Sequence, residues 1–204
     1  MAAINISLAH RRVPCGLRLS LERYRALVLL LHTLLEMTDH QMRKICIIDG
    51  IGTGATAMSA FDAALWSAGI GDLNLIVLSS VIPPDVLISV EIPILSRATV
   101  GSKLYCVLSR ISIPPGQNIA AAGLAWCNDP KTGGFFLEEQ GDSECEVELL
   151  LSRGCAEMRF RRNLVPQAEK RIVSIRGVPG KHTCAIVCAV YDIVGWNDDA
   201  FVFN

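Results

Sequence analysis

Apolar and polar positions change rhythm near residue 44. From there on, short apolar runs alternate with turn residues. Lys44–Asp49 reads as a short strand and Gly50–Gly54 as a tight glycine turn. Thr56–Ala68 has helical spacing and ends at Gly69 and Gly71. Asn74–Ser79 reads as a second strand, broken at once by Val81-Ile82-Pro83-Pro84. Strand-like runs follow at Val86–Ile94, Leu104–Ser109, Ile119–Cys127 and Gly134–Glu139. Ser143–Arg159 reads as a helix, and Arg171–Arg176 and Thr183–Tyr191 as strands. Two helices among many strands predict an α+β fold, with sheets packed together and helices outside.

Residues 1–43 follow another pattern. They hold six arginines against three acids, and Leu17–Met37 is leucine-rich with Arg18, Glu22 and Arg25 at helical intervals. This predicts an amphipathic helix packed on the domain or on a neighbouring subunit; a transit-like peptide or a misplaced start codon are the alternatives. The apolar stretch Ala26–Leu31 is far too short to span a bilayer. The chain thus divides into an N-terminal extension, 1–43, and a domain, 44–204.

Composition narrows the function classes. Hydrophobic residues make up 51% and charged residues 19%, enough to bury a sizeable core. A net charge of −1 and the lack of a basic stripe past residue 43 argue against a nucleic-acid or membrane partner. The eight cysteines include no C-x-x-C, and the closest pair, Cys184 and Cys188, shares one face of an apolar strand. They read as reduced, buried residues of a cytoplasmic protein, with no metal site.

Gly52-Thr53-Gly54-Ala55-Thr56-Ala57 fits the dinucleotide fingerprint G-x-G-x-x-G/A. That motif also needs an acid at the end of the second strand to hold a ribose. Here the second strand ends in Ser79-Ser80, and Asp72 precedes it. A tight turn with close helix-to-strand packing is the simpler reading.

The 33 residues from Gly52 to Pro84 carry an ordered set of elements: Gly52-Thr53-Gly54, Ala60-Phe61-Asp62, Ala68-Gly69-Ile70-Gly71, Asn74-Leu75 and Ser79-Ser80-Val81-Ile82-Pro83-Pro84. Together they closely resemble the core signature of the pyruvoyl-dependent arginine decarboxylases. Ala121-Ala122-Gly123-Leu124-Ala125-Trp126, with Glu138-Glu139, resembles that family's downstream segment. The resemblance covers about residues 44 to 192.

The resemblance implies a four-layer α-β-β-α sandwich, self-cleaved between Ser79 and Ser80, and assembled as a homo-oligomer (a trimer or a dimer of trimers) with sites between subunits. It implies a covalent pyruvoyl cofactor derived from Ser80, with no metal and no PLP, and L-arginine as the substrate converted to agmatine and CO2. Ser80 Oγ would attack the Ser79 carbonyl, with Pro83-Pro84 supplying strain by stopping the strand abruptly. Asn74 would help orient that carbonyl, although an ordinary strand-start role is the plainer alternative. Glu138 resembles the proton donor, and Glu139 would point to the opposite face. Asp62 would meet the substrate guanidinium, with Gly71 and Leu73 lining the same pocket; a solvated Asp62 is the alternative. Two rivals share these residues: a pyruvoyl enzyme for another amino acid, and an uncleaved, non-catalytic relative.

Overall fold

The apolar runs pair into two sheets, which the computed structural model of the protein describes over residues 43–91 and 100–196. The elements are β1 (Arg43–Gly54), α1 (Ala57–Ser67), β2 (Asn74–Val77), β3 (Val81–Ile82), β4 (Val86–Val90), β5 (Lys103–Ile113), β6 (Ile119–Asp129), β7 (Gly133–Gly141), α2 (Glu144–Arg162), β8 (Glu169–Arg176) and β9 (His182–Val194). A five-stranded sheet has the order β2-β5-β9-β1-β4, and a four-stranded sheet the order β3-β7-β6-β8. Apart from Arg43, the expected helix of residues 1–43 lies outside the described residues. So do Cys15 and residues 92–94 of the Val86–Ile94 run.

Period-two alternation sends successive residues of each strand to opposite faces, and three apolar layers result. Ile45, Ile47, Val107, Val187 and Ala189 of the larger sheet meet Ala122, Leu124, Trp126 and Phe136 of the smaller one. On the outer face of the larger sheet, Cys46, Ile48, Cys184 and Cys188 pack against Ala60, Ala64 and Leu65 of α1. On the outer face of the smaller sheet, Ala121, Ala125 and Phe135 pack against Val147, Leu151 and Cys155 of α2. The described residues form one α+β domain, compatible with the expected four-layer sandwich.

The glycines of Gly50–Gly54 do not make a turn. β1 continues through them, pairing Gly50 with Ile186, Gly52 with Cys184 and Gly54 with His182. Gly50 and Gly52 continue the face that carries Cys46 and Ile48, and α1 lies directly on them. A Cβ at Gly52 would stand 2.2 Å from the Ala64 nitrogen, and one at Gly50 2.2 Å from the Ala64 oxygen. Close helix packing, not chain reversal, explains these residues. α1 itself begins where Thr56 caps it, sharing reciprocal hydrogen bonds with Ser59.

One cysteine departs from expectation. Cys145 is exposed near the start of α2, while the other described cysteines are buried; all seven are free thiols. Among the described residues no helix is long and apolar enough to cross a membrane.

Candidate active site

The Ser79–Ser80 bond lies where the chain passes from one sheet to the other. The Leu78 amide still donates to the Cys106 carbonyl of the larger sheet, at 2.8 Å. Two residues later the Ser80 carbonyl accepts from the Phe136 amide of the smaller sheet, also at 2.8 Å, and Val81 pairs with Phe135. Ser79 is exposed between these ties. The strand expected over Asn74–Ser79 therefore ends at Val77. Constraint on the bond comes from this change of sheet; Pro83-Pro84 follow β3 and do not stop β2.

Ser80 adopts the left-handed backbone conformation, with φ +65°. For a residue with a Cβ this costs about 1–2 kcal/mol, because the Cβ crowds a neighbouring carbonyl oxygen. Such a conformation persists only where the surroundings over-determine it. The Phe136 amide and the β3–β7 pairing do so here. Ser80 Oγ donates to Glu138 Oε1 at 2.5 Å, the short range of hydroxyl-to-carboxylate bonds.

Strand alternation explains why Glu138 makes this bond. Phe136 lies in the layer between the sheets, whereas Phe135 and Leu137 face α2. Glu138 shares the face of Phe136, and Glu139 the face of Phe135 and Leu137. Both glutamates are half-buried.

Tyr191, a residue sequence reasoning passed over, completes this cluster. It stands on the inner face of β9, in the same layer as Val187 and Ala189. Its hydroxyl crosses to the smaller sheet and donates to the Val81 carbonyl at 2.8 Å. Its ring meets Phe136 edge-on, with centroids 5.9 Å apart. Burial, and then the nearby Glu138 charge, push the Tyr191 hydroxyl well above its ordinary pKa, so it keeps its proton as a donor. The only sequence signal was a polar tip ending an apolar run.

The remaining expected residues lie elsewhere. The Asn74 side-chain amide donates to the Gly101 carbonyl at 2.7 Å, and its backbone amide to the Ser102 carbonyl at 2.8 Å. In this chain Asn74 thus ties the start of β2 to the 101–102 turn. Asp62 is exposed on α1. Its neighbour Phe61 is covered by the Arg110 guanidinium, 4.0 Å from the ring centre. Gly71 and Leu73 lie in the turn after α1. The ring of Trp66 covers Gly71 so closely that a Cβ there would come within 2.6 Å, and Leu73 packs into the layer between α1 and the larger sheet. Ser80 and Glu138 are brought together; Asp62, Gly71 and Leu73 belong to α1 and the turn after it, on the outer side of the larger sheet.

Known proteins resemble this chain in sequence. The sequence profile of the pyruvoyl-dependent arginine decarboxylases matches residues 44–193. The chain is similar to the protein named pyruvoyl-dependent arginine decarboxylase of Halobacterium salinarum, with 32% identity over 74% of this chain and 94% of the relative. It is 31% identical to that of Pyrococcus horikoshii, over 76% and 97% of the two chains. A shorter stretch, 39% of this chain and 50% of the relative, is 46% identical to that of Methanothermobacter thermautotrophicus. The matched region takes in the sheet crossover, both glutamates and α1, and the chain belongs to the pyruvoyl-dependent arginine decarboxylase family.

Proposed function

We propose that the protein cuts its own chain between Ser79 and Ser80 and then decarboxylates L-arginine to agmatine and CO2. The observation that carries this reading is Ser80 itself: left-handed, at a sheet crossover, with its hydroxyl on a carboxylate. Ser80 Oγ adds to the Ser79 carbonyl carbon, and the Ser79–Ser80 C–N bond breaks, its nitrogen taking the hydroxyl proton. An ester joins the two residues. Removal of the Ser80 Cα proton then expels the Ser79 carboxylate and leaves dehydroalanine. Tautomerisation and hydrolysis of the resulting imine release ammonia and leave a pyruvoyl group at position 80.

The surroundings of Ser80 suit such a group. Its carbonyl is already bound by the Phe136 amide, and Glu138 faces the side chain of residue 80, whose Cα becomes the ketone carbon and whose Cβ becomes the methyl. The pyruvoyl group supplies a carbonyl that condenses with the substrate amine and takes up the electrons released with CO2. Glu138 carries the proton returned to the substrate Cα. Asn74 acts at one remove, by fixing the start of β2.

Asp62 suits a guanidinium, whose forked donors match a carboxylate. Because α1 covers the outer face of the larger sheet, this reading brings Asp62, Gly71 and Leu73 to the reacting group from a neighbouring copy. That is the between-subunit site of a homo-oligomer, a trimer or a dimer of trimers. The free thiols support a cytoplasmic setting.

Intact mass tests the first half. Two pieces are expected, 1–79 and 80–204, the second refractory to Edman sequencing; a full-length chain after long incubation overturns the enzyme reading. Incubation of the cleaved protein with amino acids tests the second half. Agmatine and CO2 should form from arginine, with lysine, ornithine, histidine and aspartate far behind. Cleaved protein that ignores arginine and decarboxylates another of these would overturn the substrate alone.

A further inference from the structure

We infer that Tyr191 is a positioning residue for self-cleavage, holding the segment after the scissile bond from the opposite sheet so that Ser80 stays in its left-handed conformation. The inference rests on the proposed Ser79–Ser80 cleavage and adds to it a residue outside the matched serine and acid motifs. Two successive carbonyls follow the bond. Phe136 takes that of Ser80 through its backbone, and Tyr191 takes that of Val81 through its hydroxyl. These two anchors also touch each other, ring edge to ring face.

The geometry gives Tyr191 a task that β3 cannot perform alone. β3 has two residues, and its ladder reaches only Phe135 and Gly134. So short a strand resists rotation about Ser80 weakly, because few hydrogen bonds oppose a backbone that would relax to negative φ. Tyr191 adds a tie from β9, which runs for 13 residues in the centre of the larger sheet, between β5 and β1. The short strand is thereby fixed to the most extensively paired strand of the domain. Burial keeps the hydroxyl protonated, so the tie persists across the ordinary range of pH.

The effect belongs to cleavage more than to turnover. Once the bond is cut, residue 80 has no preceding peptide and hence no φ to hold. Tyr191→Phe retains the ring against Phe136 and removes only the donor. Full-length wild type, Tyr191→Phe and Ser109→Ala would be compared from the moment of synthesis, by denaturing gel and intact mass. Ser109→Ala is the control: it also deletes a buried hydroxyl donating to a backbone carbonyl at 2.8 Å, that of Glu139 on β7 and not one of the segment after the scissile bond.

Tyr191→Phe should cleave about tenfold more slowly, the factor that corresponds to about 1.4 kcal/mol. Ser109→Ala should cleave at the wild-type rate with a similar loss of thermal stability. After full cleavage, Tyr191→Phe should show an unchanged KM for arginine. Cleavage of Tyr191→Phe at the wild-type rate overturns the inference, as does equal slowing in Ser109→Ala. If Tyr191→Phe fails to fold, 3-fluorotyrosine at position 191 decides. It is a stronger donor of nearly the same shape, and slower cleavage than wild type would overturn the inference. Absence of cleavage in wild type strikes the proposed function instead, so the two failures are distinguishable.

Discussion

At the Ser79–Ser80 crossover every contact described is made within one chain: Ser80 to Glu138, Ser80 to Phe136, Val81 to Tyr191. On α1 the helix is fastened to its sheet through glycine backbone, and Asp62 faces solvent. The first region brings Ser80 and Glu138 together; the second is a platform that presents a carboxylate. The contrast teaches that the proposed bond cleavage needs only contacts within a protomer, whereas on the proposed reading recognition of the substrate side chain would draw on a second copy.

Substitutions at the crossover should have the largest effects. Ser80→Ala removes the nucleophile, so the chain should stay full length by mass and release no CO2 from arginine. Glu138→Gln keeps an acceptor for Ser80 Oγ but cannot deliver a proton, so it should cleave and then lose about 10²–10⁴-fold in kcat. If it fails to cleave as well, Glu138 also serves as base, and the separation of the two steps is wrong.

On the platform, Asp62→Asn should leave cleavage at the wild-type rate. It should lower kcat/KM for arginine by about 10- to 150-fold, since hydrogen bonds to charged groups contribute about 1.5–3 kcal/mol. Mixing Asp62→Asn with Ser80→Ala sharpens the comparison. Mixed oligomers should regain part of the activity if each site takes Asp62 and residue 80 from different copies, and none if both come from one.

Smaller effects are expected from packing. Gly52→Ala drives a Cβ into helix backbone, which cannot rotate away, and should destabilise by about 1–3 kcal/mol, read as a lower Tm. Glu139→Gln, on the α2 side of β7, should change cleavage and turnover least of all. Swapped behaviour of the two glutamine variants would mean that the face assignment of β7 is wrong.

Much of the fold was legible because it rests on local pattern. The helical spacing of Thr56–Ala68 is realised as a helix over Ala57–Ser67 with caps at Thr56 and Ala68. The glycine segment was misread because glycine composition suggests a turn, while its period-two spacing at 50, 52 and 54 is that of a strand face. β3 escaped notice because two residues between serines and prolines carry no periodicity; they form a strand only through pairing with β7, more than fifty residues away. The serine pair stood out through the resemblance of its neighbourhood. Tyr191 did not, since its partner is a backbone carbonyl, which leaves no trace in side-chain pattern.

The strand order of the larger sheet would also govern the life of the molecule after the proposed cut. A break at Ser79–Ser80 assigns β1, α1 and β2 to one piece and every later element to the other. Yet β1 is threaded between β9 and β4, and β2 sits beside β5, so both pieces are woven into one sheet. They would stay together without a covalent link, because separation would strip β1 of hydrogen bonds on both edges. The route back is different. An uncut chain refolds with all its strands tethered, whereas two cut pieces must first meet in solution, at a rate set by concentration. On the proposed cleavage, folding would come before cutting, and each cut would make the folded state harder to regain once lost.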